Sequence, residues 1–208
     1  MNNSTINSQE MNPPMSDIAP LPAVPPSLFG GLPKTENSLR RLAIARPATW
    51  QNPIPAPFYN LVVIGAGSAG LVTAIIAASL GGKVALIEKH MMGGDCLNVG
   101  CVPSKALIRS ARLMHDIETS PAFGLESLGA NVDFGQVMER VRRIQADISP
   151  VDSVWRYQSL GVDVFLGEGR FSGAATVEVA GAQLNFKKAV IATGSRPIHP
   201  TIPGLARA

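Results

Sequence analysis

A chain of 208 residues with 46% apolar side chains can form one well-packed domain with a tail, or two small domains. The formal net charge of +3 is small and scattered, which argues against a nucleic-acid partner, and no run of about 18 apolar residues indicates a membrane span. The polar first residues lack the apolar core of a secretory signal, so we expect a cytoplasmic protein. Thiols stay reduced in that compartment, so the two cysteines indicate redox or metal chemistry rather than a structural disulfide.

The first part of the chain is rich in proline. Eleven of the 17 prolines lie between residues 13 and 57, and neither a helical nor a strand period is sustained before residue 59. This composition predicts a disordered or extended Pro-rich leader over residues 1–58, with at most a helical turn over residues 38–46.

From residue 60 onward, strand and helix patterns alternate. Residues 61–64 are a wholly apolar run typical of a buried parallel strand, residues 69–80 predict a helix of small side chains, and residues 83–88 predict a second strand. The later expected elements are helices over residues 103–119 and 133–157, the latter broken near Pro150, and strands over residues 162–166, 176–179, 183–186 and 188–192. This order predicts an α/β fold over residues 59–208, namely a Rossmann-like domain with a parallel sheet plus a small β-meander.

The turn after the first strand is rich in glycine. Gly65, Gly67 and Gly70 fit the pattern G-x-G-x-x-G, which allows a tight turn, a close approach of a pyrophosphate and close contact between helix and strand. The helix opening at Ser68 would direct its free N–H groups at the phosphates, and Glu88 at the end of the second strand is placed to accept from ribose hydroxyls. These features predict a dinucleotide site. The Glu88 carboxylate would repel a 2′-phosphate, which disfavours NADP, whereas NAD and FAD both remain open.

Cys96 and Cys101 lie in a short glycine-containing segment after the second strand. Zinc would need more ligands, and the three histidines show no ligand spacing, so no metal site is expected. Pro103 favours a helix that begins just past Cys101, and a helix N-terminus favours a nearby thiolate. A redox pair therefore explains more than the alternative of a structural disulfide.

Three segments of the chain resemble the pyridine nucleotide–disulfide oxidoreductases. They are the glycine turn with Glu88, the run GGDCLNVGCVPSK at residues 93–105, and the run ATGSRP at residues 192–197. Within that family, mercuric reductase-like and dihydrolipoamide dehydrogenase-like proteins are the most similar in these motifs. The resemblance implies that the bound dinucleotide is FAD, so residues 59–208 are expected to be an FAD-binding domain.

The resemblance also implies roles for individual residues. Cys101 would stack against the flavin, Cys96 would exchange with the substrate, and Lys105 would lie near flavin N5. The residues implied to contact FAD are Gly65, Gly67, Ser68, Ala69, Gly70, Glu88, Lys89, Gly93, Gly94, Lys105, Ala192, Thr193 and Gly194.

The activity implied by the resemblance is that of a flavin-dependent oxidoreductase. Electrons would pass from NAD(P)H through FAD to a Cys96–Cys101 disulfide, and from the dithiol to a small-molecule disulfide or a thiophilic metal ion such as Hg(II). Members of the family form homodimers, and the resemblance implies neither a nucleic-acid nor a membrane partner.

Two departures from the family pattern stand out. Asp95 stands where the family usually has Thr, and a carboxylate there is expected to raise the pKa of the Cys96 thiol. The chain also ends at Ala208, whereas the family continues with a second glycine-rich turn for NAD(P)H and an interface domain, so the domain is expected to be a truncated, N-terminal part. The alternative function is therefore a catalytically inactive FAD-binding fragment. An NAD-dependent dehydrogenase would leave the cysteine motif without a role.

Overall fold

The structure is a computed structural model that describes residues 35–126, 129–196, 198 and 200–205. The helices are α1 (Glu36–Ala45), α2 (Ser68–Ser79), α3 (Gly94–Asn98), α4 (Cys101–Thr119), α5 (Phe134–Ile148) and α6 (Val154–Ser159), with 3-10 turns at Ser120–Phe123 and Ser149–Asp152. The strands are β1 (Tyr59–Ile64), β2 (Val84–Glu88), β3 (Val162–Leu166), β4 (Arg170–Gly173), β5 (Thr176–Val179) and β6 (Ala182–Ile191).

The strands form a six-stranded sheet in the order β3-β2-β1-β6-β5-β4. Strands β3, β2, β1 and β6 are parallel, whereas β6, β5 and β4 are joined as an antiparallel meander. The chain adds β2 and β3 on one side of β1 and then returns to place β6 on the other side. Such a reversal of strand order leaves a crevice at the carboxyl ends of parallel strands. The prediction of an α/β fold with a parallel sheet and a small meander is confirmed.

The parallel strands are covered on both faces. On one face, Leu86 of β2 belongs to a buried cluster with Leu71 of α2. On the other face, Ile87 of β2 belongs to a second buried cluster with Val177 of β5. Burying an apolar side chain of this size contributes roughly 1.5–3 kcal/mol. The carboxyl ends of β1 and β2 are therefore held between two packed layers.

The segment before β1 departs from the predicted leader. Residues 1–34 lie outside the described residues, and residues 35–58 form α1 and an irregular stretch that leads to β1. Thr35 caps α1 by accepting a hydrogen bond from the backbone N–H of Ser38, and Leu42 and Ala45 are fully buried. The helix α1 thus departs from the disordered or extended chain expected there, because it packs against α5 and a proline count does not register that contact.

The stretch between α1 and β1 covers the outer edge of the sheet. The Asn52 side chain donates to the carbonyl of Leu166 at 3.1 Å and accepts from its N–H at 2.7 Å, as a neighbouring strand would. The indole N–H of Trp50 donates to the carbonyl of Val164 at 3.3 Å. These bonds occupy backbone groups that an edge strand otherwise leaves open to a second chain.

Several element boundaries also differ from the sequence prediction. The short helix α3 and the strand β4 were not expected, and residues 183–186 and 188–192 belong to the single long strand β6. The predicted helix over residues 133–157 is α5, a 3-10 turn at Ser149–Asp152 and α6. Within the described residues, no helix combines the length and apolar character needed to cross a membrane.

Candidate functional site

A cavity of about 810 Å³ opens at the carboxyl ends of β1, β2 and β6. Its wall is formed by the turn between β1 and α2, the chain after β2, the residues after β3 and the residues after β6. Pockets that hold small molecules and cofactors usually enclose about 300–1,000 Å³. The cavity thus lies at the reversal of strand order and has the size of a cofactor site.

Two glycines of the turn are required by the fold itself. Gly65 has a φ of +106°, and a Cβ placed there would lie 2.2 Å from the carbonyl oxygen of Ala192. A Cβ at Gly70 would lie 1.7 Å from the carbonyl oxygen of Gly65. Real Cβ atoms do not approach backbone this closely, so both positions exclude side chains because β1, α2 and the end of β6 are in contact.

Gly67 is different, because the protein leaves room beside it. A Cβ at Gly67 would meet only the Cα of Gly94, at an ordinary 3.7 Å, and the backbone φ of Gly67 is −83°. Gly67 is the N-cap of α2 and lines the cavity together with Ser68 and Ala69. The first N–H groups of a helix lack intrahelical acceptors and carry its positive dipole end. This corner of the cavity therefore suits an anionic group such as a pyrophosphate.

Glu88 joins the glycine turn to the chain after β2. One oxygen of its carboxylate accepts from the N–H of Ala66 at 2.8 Å, and the other accepts from the N–H of His90 at 2.6 Å. The side chain is 7% exposed and lines the cavity. Each carboxylate oxygen retains a second lone pair, so Glu88 can both hold the turn and accept from a ligand hydroxyl.

We expect Glu88→Ala to lower the free energy of unfolding by about 1–3 kcal/mol, because the buried N–H of Ala66 would lose its acceptor. Chemical denaturation of the two proteins measures the difference. Glu118→Ala, at an exposed position on α4, is the control and should change stability by no more than about 0.5 kcal/mol. Equal stability of the two variants would contradict the role of Glu88 in holding the turn.

The two cysteines lie on consecutive helices and are both free thiols. Cys96 is half-buried on α3, and Cys101 is exposed at the first position of α4. The pKa of the Cys96 thiol is raised, first by its hydrogen bond to Cys101 and then by burial, while a hydrogen bond from Ser68 opposes the rise. The Asp95 carboxylate, which was expected to raise the pKa of Cys96, is not among these causes. The rise comes instead from the second cysteine and from burial.

Most, but not all, of the residues that the sequence assigns to FAD binding or to the redox pair line the cavity. Those in its wall are Gly65, Gly67, Ser68, Ala69, Glu88, Lys89, Gly94, Cys96, Ala192, Thr193 and Gly194. Gly70 and Gly93 are buried behind the wall, and Cys101 and Lys105 are exposed on α4 outside it. Pro197 lies outside the described residues.

Some residues of the wall were not anticipated. The turn after β3 contributes Gly167, Glu168 and Gly169, and the segment after β6 contributes Ser195 and Arg196. A signal for the first group was present, because Gly-Glu-Gly directly follows a predicted parallel strand whose carboxyl end lies at the same edge of the sheet.

Comparisons with known proteins agree with this geometry. The family model for the pyridine nucleotide-disulphide oxidoreductases matches residues 59–208. A mercuric reductase of Lysinibacillus sphaericus is 36% identical over 149 residues, covering 72% of this chain and 27% of that protein. A dihydrolipoyl dehydrogenase of Acholeplasma laidlawii is 36% identical over 151 residues, covering 72% of this chain and 45% of that protein.

A solved structure is similar as well. It is the Cu(II) complex of the HOCl-induced flavoprotein disulfide reductase RclA from Escherichia coli, with a TM-score of 0.56 and 27% identity over 71% of this chain and 30% of that one. The chain thus spans less than half the length of each of these three proteins. The resemblance seen in the sequence is confirmed: the chain belongs to the pyridine nucleotide-disulphide oxidoreductases, a family whose members are FAD-binding flavoenzymes with NAD(P)H as electron donor.

Proposed function

We propose that this chain binds FAD in the cavity and carries a redox-active Cys96–Cys101 pair that reduces a disulfide or a thiophilic metal ion. The observation that supports the proposal most strongly is the position of Cys96. Its side chain lies in the wall of a cofactor-sized cavity, and a second thiol, Cys101, stands at the start of the next helix. Few other functions need a thiol pair beside a dinucleotide site.

The residues of the wall fit the parts of FAD in order. Gly67 and the first turn of α2 would receive the pyrophosphate, and Glu88 with Lys89 would receive the adenosine ribose. Gly94 and Thr193 would lie beside the flavin, and Cys96 faces the same space. When bound, FAD accepts a hydride from NAD(P)H and delivers two electrons.

The dithiol would reduce a disulfide substrate in two successive thiol–disulfide exchange steps. The thiolate of Cys96 would attack one sulfur of a disulfide substrate, form a mixed disulfide and release the other sulfur as a thiol. The thiolate of Cys101 would then attack the Cys96 sulfur, releasing the second thiol and leaving the Cys96–Cys101 disulfide. Two electrons and two protons restore the dithiol. For Hg(II), the two thiolates would hold the ion, and the two electrons for its reduction to Hg(0) would come from NAD(P)H through FAD.

Titrating the purified chain with FAD and with NAD⁺ tests the cofactor assignment. We expect saturable binding of one FAD per chain and at least a hundredfold weaker binding of NAD⁺, measured by ultrafiltration and by quenching of flavin fluorescence. The cofactor that copurifies with the protein is then identified by mass. A bound nicotinamide dinucleotide, or a lack of saturable FAD binding by the folded chain, would reject the proposal.

A further inference from the structure

The carboxyl end of α3, the helix that carries Cys96, is held by two buried side chains from outside the redox motif. The Gln145 amide on α5 donates to the carbonyls of Leu97 and Asn98, at 2.9 Å each. The Arg41 guanidinium on α1 donates to the same carbonyl of Asn98 at 3.4 Å. Arg41 is 2% exposed and Gln145 is 4% exposed, so neither bond competes with bulk water.

The helix they hold has little stability of its own. It is only five residues long, and its N-cap, Gly93, has no side chain with which to cap it. Short helices of this kind depend on tertiary contacts. The end of α1 supplies another contact just before α3, because the carbonyl of Ala45 accepts from the N–H of Met92 at 2.9 Å. Helix α1 therefore contacts the cysteine segment both before and after Cys96.

A buried arginine such as Arg41 is energetically costly at this position. Burial lowers the pKa of its guanidinium, which reflects the cost of removing the charge from water. Within the described part of the chain, the Nε of Arg41 and the Oδ1 of Asn98 are both buried without a hydrogen-bond partner. An apolar side chain at a site like this often leaves a fold equally stable or more stable. The contact between Arg41 and the end of α3 is therefore better explained by the placement of α3 than by a gain in the stability of the fold.

We propose that Arg41 is a positioning residue for the redox pair, holding α3 together with Gln145 so that Cys96 keeps its position relative to Cys101 on the next helix. This inference rests on the proposed dithiol function. It concerns a helix that lies before the part matched by the family model, which begins at residue 59.

The expected consequence of this positioning is a more stable Cys96–Cys101 disulfide. Cys96 and Cys101 react with glutathione disulfide to give the protein disulfide and two molecules of glutathione, and the equilibrium constant measures the effective concentration of one thiol near the other. Two thiols whose helices are already held in place lose little conformational freedom when the bond forms. Loosening α3 lowers that effective concentration and makes the protein disulfide easier to reduce.

The test is a redox titration of the full 208-residue chain in glutathione buffers, with free thiols counted by maleimide labelling and mass. Cys96 and Cys101 are the only cysteines, so the count reports this pair alone. Arg41→Gln is expected to lower the equilibrium constant for disulfide formation at least tenfold, which is a shift of about 30 mV toward a more positive potential.

Arg40→Gln is the matched control. Arg40 is the neighbouring residue on α1 and pairs with Asp147 on α5, so its loss weakens the docking of the same helix without touching α3. We expect a change of less than twofold in this variant. If circular dichroism shows that Arg41→Gln does not fold, Gln145→Met removes the other donor to the same carbonyls and carries the same expectation.

The outcomes separate the two proposals. A wild-type chain without a reversible two-thiol couple would reject the dithiol function, and the positioning role with it. A wild-type chain with such a couple, combined with a change in Arg41→Gln that is below twofold, opposite in sign or equal to that of Arg40→Gln, would reject the positioning role alone.

Discussion

Gly67→Ala should fold as the wild type does and bind FAD ten- to a hundredfold more weakly. The added methyl group meets only the Cα of Gly94 at 3.7 Å, and the backbone of Gly67 is in a region open to any residue. The methyl group would instead occupy the corner where a pyrophosphate approaches the start of α2. Displacing a phosphate from one charge-assisted hydrogen bond costs about 1.5–3 kcal/mol, and each 1.4 kcal/mol is about tenfold in affinity.

The neighbouring glycines provide the contrast that makes this result interpretable. Gly70→Ala would place a methyl carbon 1.7 Å from the carbonyl oxygen of Gly65, and Gly65→Ala would place one 2.2 Å from that of Ala192. We expect both variants to lose more than about 4 kcal/mol of stability, since backbone must move to admit the methyl group. Thermal unfolding separates these variants from Gly67→Ala, and FAD titration is then meaningful only for the variant that folds.

Two results would contradict the assignment of Gly67. If Gly67→Ala unfolds as Gly70→Ala does, the glycine is required by the fold rather than by a ligand. If it folds and binds FAD with unchanged affinity, the phosphates do not approach this residue. Either result would leave Glu88 as the better evidence for a dinucleotide in the cavity.

The parts of the fold that could be predicted are those whose signals are local. The apolar strand before Gly65 and the small helix after it need only neighbouring residues to be recognised. The glycine spacing then places the turn at the edge of the sheet where the cavity opens. Glu88 could be assigned to the same site because β2 lies parallel to β1. The end of β2 therefore brings Glu88 beside the end of β1.

The parts that could not be predicted depend on distant contacts. Helix α1 follows a proline-rich stretch, and it is ordered because Leu42 is buried and Asn37 donates to Glu139 on α5, 102 residues away. Helix α3 is too short to show a helical period, and its carboxyl end is held by Gln145 from a later helix. No pattern in the cysteine segment itself indicates either contact.

The assignment of the two cysteines leads to the last expected result. When the FAD-loaded chain is reduced by two electrons, a thiolate beside the flavin should give a long-wavelength absorbance band. The band should fall at least tenfold in Cys101→Ser and remain in Cys96→Ser. The reason is that the family resemblance implies Cys101 as the cysteine that stacks against the flavin, whereas the pKa of the Cys96 thiol is raised, which favours its protonated form.

The experiment is decisive because two observations favour different sulfurs. The raised pKa of Cys96 disfavours Cys96 as the thiolate, whereas Cys96 is the cysteine that lines the cavity. Both variants should retain the absorbance of oxidised FAD, which controls for loss of the cofactor. A band that survives in Cys101→Ser and disappears in Cys96→Ser would exchange the two roles, making Cys101, exposed at the start of α4, the thiol that meets the substrate. A band of equal strength in both variants would show that it does not arise from a thiolate of this pair.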